Sequence, residues 1–214
     1  MPYAAQDRLD FIKRSGLNTE DNILDFGGML SLELPNAVSG ISSKKPQSNA
    51  VLLKPGYLPF RDSVFDAVVS YHYFDLIPPH MLPFVFKEVV RIMKTGAFFS
   101  FMVTLWLPQN EPQRSTMLFH ELLKSAGTFY QHDFEEINRQ LSSSFCEITF
   151  ESVKREIFVP QEYVKQHLRL LGSLASKEKE LGGTGIRKIA RDYFVQATEH
   201  GEAMLHAIHF TAKK

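Results

Sequence analysis

An α/β fold with crossover helices is what this sequence predicts, and three observations carry that reading. Short apolar runs alternate with helical patterns through the first half of the chain. The run Phe65–Ser70 is mostly apolar, as a strand buried on both faces should be. From Pro79 to Lys94, Leu82, Val85, Phe86, Val89, Val90 and Met93 recur at helical spacing, which gives that helix one apolar face.

Each element follows in order. Ala5, Leu9 and Ile12 predict a short leading helix that stops near Gly16. Asn22–Phe26 reads as a compact strand that ends in Gly27-Gly28, and residues 29–34 as a brief helix. Ala37–Ile41 and Asn49–Leu53 are further strands, punctuated by Ser42-Ser43-Lys44-Lys45-Pro46 and by Lys54-Pro55-Gly56. Pro78-Pro79 suits the start of the long helix and Gly96 its end, with a strand at Phe98–Thr104 behind it. The second half predicts helices at 114–126 and 134–142, then an extended strand or bent strand pair over Cys146–Val159. A helix over Gln161–Leu171, a break at Gly182–Gly185, an amphipathic helix through Ile186, Tyr193 and Ala197, and a closing strand at Met204–Thr211 complete the pattern. Residues 1–214 thus read as one domain, in which 160–200 form a helical cap inserted before the last strand.

Composition narrows the function. The 214 residues carry 24 basic and 24 acidic side chains, and the first 107 already hold ten of each. That balance argues against nucleic acid as the partner, because such binders present a basic face or tail. A single cysteine, Cys146, excludes an internal disulfide and a multi-cysteine zinc site, and its neighbours predict a buried packing residue. The longest apolar run, Ala97–Leu107, is too short to span a bilayer, and no leader pattern opens the chain; a cytoplasmic location is the expectation.

The chemistry starts at Ile23-Leu24-Asp25-Phe26-Gly27-Gly28, a strand ending in an acid and glycines. Glycines there let a backbone approach a ligand closely, beside the N-terminus of the next helix. Further on, Leu58-Pro59-Phe60-Arg61-Asp62-Ser63-Val64-Phe65-Asp66-Ala67-Val68-Val69-Ser70 resembles the LPF-x-D-x-x-FD-x-V-x-S segment of class I S-adenosylmethionine-dependent methyltransferases. Phe86–Phe98, with Glu88, Arg91, Lys94 and Gly96, is similar to the helix and turn E-x-x-R-x-L-K-P-G-G of the same family. Together with Ile23–Gly28, these motifs cover about 80 residues in the family's order. The order of helices and closing strand in the second half most resembles malonyl-acyl-carrier-protein O-methyltransferases and related assembly proteins.

The resemblance implies a doubly wound, mostly parallel seven-stranded sheet, Rossmann-like, with S-adenosylmethionine over the carboxyl ends of strands one and four. Methyl transfer to an oxygen of a small-molecule or acyl-carrier substrate would rest on near-attack positioning. By position, Asp25, Gly27 and Gly28 would line the methionine end, and Ser70, Tyr71 and His72 would lie beside the reacting sulfur. Tyr71 and His72 are then the catalytic candidates, His72 as a base. Tyr73, Phe74 and Trp106 join Tyr71 as a candidate aromatic wall.

Three departures bear on the cofactor. Only Gly27-Gly28 remain of the family's three spaced glycines. Ser42 stands where an acid would accept from both ribose hydroxyls, and Lys54 where an acceptor would meet the adenine amine. A second reading therefore stands beside the first: a degenerate methyltransferase-like domain without cofactor, serving as a binding or assembly module for a protein partner. The remaining motifs carry less. His206 and His209 fall on opposite faces of a strand, Gly182–Lys188 lacks phosphate-loop spacing, and the nicotinamide fingerprint G-x-G-x-x-G is missing.

Overall fold

A computed structural model describes residues 2–18, 20–41, 50–54, 56–176 and 185–214. The elements run α1 (Ala5–Arg14), β1 (Ile23–Phe26), β2 (Val38–Ile41), β3 (Ala50–Leu52), β4 (Phe65–Tyr71), α2 (Leu82–Ile92) and β5 (Met93–Thr104). They continue with α3 (Glu111–Ser125), α4 (Phe134–Ser142), β6 (Glu147–Val153), α5 (Gln161–Ser176), α6 (Ile186–His200) and β7 (Ala207–Lys213). The seven strands form one sheet in the order β3-β2-β1-β4-β5-β7-β6. Strands β3, β2, β1, β4 and β5 pair in parallel. The chain reverses into β7: Gly96 N–H donates to the Lys214 carbonyl, and Leu105 N–H to that of His206.

The chain divides into two compact units. The sheet unit comprises Ala4–Val103, His132–Ser152 and Ile208–Lys214. Its core is strongly aromatic. Phe99 and Phe101, two apart on β5, share one face of the sheet with Phe74, Phe86, Phe145 and Phe210. Phe101 lies nearly flat against Phe210, 5.0 Å between centroids at 8°. All the apolar helical-spacing residues of α2 except Val90 are fully buried, or for Met93 continue buried into β5. The second unit, Met1–Tyr3, Thr104–Gln131 and Val153–Ala207, is helical, with its own core of Phe119, Leu122, Leu171, Ile186, Tyr193 and Ala197.

Several expectations shift. Residues 29–34 form turns, closed by a Leu34 N–H to Leu30 carbonyl bond of 2.7 Å, and no helix joins β1 to β2. The buried face of α1 is not Ala5, Leu9 and Ile12; Asp7, Arg8 and Phe11 are buried and Leu9 is 47% exposed. Gly96 does not end a helix. Strand β5 starts directly at Met93, and Gly96, at φ +80°, lies in a bulge between the Phe65–Met93 and Ala67–Phe98 pairs. Cys146 is exposed, not buried, because it stands just before the edge strand β6, where its thiol donates to the Lys213 carbonyl. The extended region ends at Val153, followed by an isolated bridge of Phe158 to Ala203. Ser42 and Gly182–Thr184 lie outside the described residues.

Candidate functional site

Parallel strands β1 and β4 bring Asp25 and Ser70–Tyr71 to one end of the sheet, because Asp25 pairs with Val69. Asp25 is fully buried. Its Oδ2 accepts from the Leu30 N–H at 2.9 Å, while Oδ1 has no hydrogen-bond partner. Burial pushes its carboxyl up to about 7, against the opposing pull of the Leu30, Met29 and Gly28 amides.

The glycine pair is half-buried and closely packed on the side where a Cβ would project. Gly27 has φ +117° and Gly28 φ +67°, conformations that side chains rarely adopt. A Cβ on Gly27 would stand 2.4 Å from Tyr73 Cβ, and one on Gly28 would stand 2.5 Å from Ile41 Cγ2. The same holds on β2, where a Cβ on Gly40 would stand 2.1 Å from Leu53 Cδ1. The amides of this loop are engaged within the chain. Gly27 N–H donates to the Gly40 carbonyl (2.7 Å), Gly28 N–H to the Asp25 carbonyl (3.2 Å) and Leu30 N–H to the Asp25 carboxylate.

Beyond β4 the candidates gather. Ser70 is fully buried and its hydroxyl donates to the Phe26 carbonyl at 2.8 Å, which ties β4 to the tip of β1. The Tyr71 hydroxyl donates to Asp7, and its ring meets Phe11 edge-on at 5.7 Å. His72 takes a left-handed backbone, φ +56°, rare for a residue with a side chain. Its Nδ1 lies 2.7 Å from Asp75 Oδ2, and that carboxylate is 1% exposed. Tyr73 and Phe74 are buried, Phe74 wholly within the aromatic core. Trp106 belongs to the helical unit, where its ring sits 5.9 Å from Phe129 and the Lys124 ammonium lies over it at 5.2 Å. The aromatic wall thus divides between units. Lys54 is exposed and forms an isolated bridge with Tyr57, away from any shared cluster with Asp25.

Sequence reasoning missed Asp7, Arg8, Glu33 and Asp75. Arg8 and Glu33 form a buried ion pair, Nη2 to Oε1 at 2.5 Å, joining α1 to the turn after β1. Glu33 holds the Arg8 guanidinium above its ordinary value. A helix-borne Asp-Arg pair gives no sequence signal of burial; only the spacing of Asp7, Arg8 and Phe11 on one face would have hinted at it. Among the described residues, no three His, Cys, Asp or Glu side chains are grouped to hold a metal.

The strand order, with a buried acid and a glycine turn at the end of β1, defines the class I methyltransferase fold. Residues 34–101 match the family model described as a methyltransferase domain. Comparison with curated proteins gives no sequence match. Among solved structures, a cyclopropane-fatty-acyl-phospholipid synthase-like protein from Lactobacillus casei is similar at TM-score 0.71 and 12% identity, over 99% of this chain and 91% of that one. YcgJ from Bacillus subtilis is similar at 0.62 and 16%, over 98% of both chains. Phosphoethanolamine N-methyltransferase 2 of Haemonchus contortus, in complex with S-adenosyl-L-methionine, is similar at 0.55 and 13%, over 98% of this chain and 52% of that one.

The described residues do not fit that cofactor. An amino-acid carboxylate needs donors at the glycine turn, and here those N–H groups are bonded to Gly40 and Asp25. No helix N-terminus follows to favour an anion, and Tyr73 and Ile41 pack on the Cβ side of the two glycines.

Proposed function

We propose that this protein is a methyltransferase-fold module that has lost its cofactor and works by binding or assembly with a protein partner. One observation carries the reading: the turn after β1 engages its own amides within the chain. What supports it further is the replacement of the acceptor expected after strand three by Lys54. Isothermal titration tests it directly. No heat with millimolar S-adenosylmethionine or S-adenosylhomocysteine is expected, and micromolar affinity for either would overturn the reading.

A second reading, methyl transfer to an oxygen of a small-molecule or acyl-carrier substrate, is favoured by one feature. His72 combines a strained backbone with a buried acid on its Nδ1, an arrangement more typical of a working histidine than of a packing one. That reading requires the micromolar affinity that the first forbids, so the same titration separates them.

A further inference from the structure

Strand β6 closes one end of the sheet and is exposed along most of its length. Only Val153 is buried, and Phe150, at its centre, is 64% exposed although its ring lies 5.8 Å from Phe210. The outer edge of a seven-residue edge strand is a template for another chain, and proteins usually protect such an edge with charge, proline or a cover. Here no proline interrupts β6, and each of its two carboxylates has a cationic partner within the chain. Glu151 pairs with Arg14 at 2.8 Å, and Glu147 with Lys213 at 3.5 Å.

We infer that β6 pairs antiparallel with β6 of a second copy of this chain, about a two-fold axis at Phe150. Phe150 is the middle residue of β6, so this register alone pairs all seven residues, and charge disfavours the registers on either side of it. Centring the axis on Thr149 would set Glu147 opposite Glu151, and centring it on Glu151 would set two copies of that carboxylate face to face. Centring it on Phe150 opposes Thr149 to Glu151, Ile148 to Ser152 and Glu147 to Val153, with no like charges facing and the two phenyl rings adjacent. The interface is isologous, so it closes at two copies and leaves no β6 edge for further growth.

Light scattering on the full chain tests this, with two substitutions at the exposed Thr149 that leave the core untouched. The native chain is expected at twice the 24.5 kDa mass. Thr149→Glu places carboxylates opposite each other at both ends of the pairing and is expected to abolish the doubled mass. Thr149→Lys, which faces Glu151 of the second copy, is expected to retain it. A monomeric native chain, a dimer that survives Thr149→Glu, or a dimer lost equally in Thr149→Lys would each overturn the assignment.

Discussion

Asp25 works against the fold at neutral pH. Its carboxyl titrates near 7 when folded and near 3.8 when unfolded, so the unfolded chain releases the proton first. Stability therefore falls as pH rises between those two values and is lowest above them. Asp25→Asn removes the titration and keeps an acceptor for the Leu30 amide. It is expected to raise stability at pH 7 by about 1–3 kcal/mol, with no gain near pH 4, in urea melts at the two pH values. Gly27 imposes the opposite constraint. Gly27→Ala meets both the positive φ and the Tyr73 side chain, and a loss of about 2–4 kcal/mol is expected by denaturation. Adding Tyr73→Gly, which removes the Cβ that stands 2.4 Å from the new methyl, should relieve the clash but not the backbone strain, so the two losses should couple in a double-mutant cycle. Both residues were legible beforehand because an acid and glycines at a strand end are a local pattern. Asp75 was not, since its role depends on the turn by which His72 reaches back to it.

Elements were legible where their periodicity was strong and their partner was the core. The α2 pattern, Leu82 to Val89, appears in the structure as the buried face of a helix. In α1 the apolar residues misled: Asp7 and Arg8 are buried through Tyr71 and Glu33, and Phe11 through Tyr71 and His209. Buried charge with a specific partner overrides hydrophobic spacing, and a single sequence does not reveal the partner. The helical unit holds a similar arrangement. Glu202 is 1% exposed and accepts from the Tyr193 hydroxyl and from His167 Nδ1 at 3.0 Å, with Phe119 stacked on that imidazole at 4.2 Å. Burial, then Glu202, holds the Tyr193 hydroxyl above its usual range, which keeps it a donor. Tyr193→Phe removes that donor from a buried carboxylate. A loss of about 1–3 kcal/mol is expected in chemical denaturation, whereas Tyr193→Phe combined with Glu202→Gln should lose less than the two changes summed.

At the scale of the whole molecule, two cores serve one chain, and the helical one gathers three separate stretches where the sequence pattern marked only 160–200. That assembly was illegible because helix periodicity says which face is buried and not which helix buries it. The sheet was more legible, since its strands read as short apolar runs between turn residues in a familiar order. If β6 closes a dimer, thermal stability must depend on protein concentration. The native midpoint is expected to rise across a hundredfold concentration series, and that of Thr149→Glu to stay flat, by scanning calorimetry.

The helix-free link between β1 and β2 also shapes how the chain acquires its structure. Leu24 meets Val38 only fourteen positions later, near the shortest excursion a parallel pair allows, whereas Ile23 must find Ala67 forty-four positions on. Loop-closure entropy favours the near partner, so of its two neighbours β1 gains β2 first and β4 later. Lengthening the 29–36 segment with glycines would then slow refolding more than it speeds unfolding.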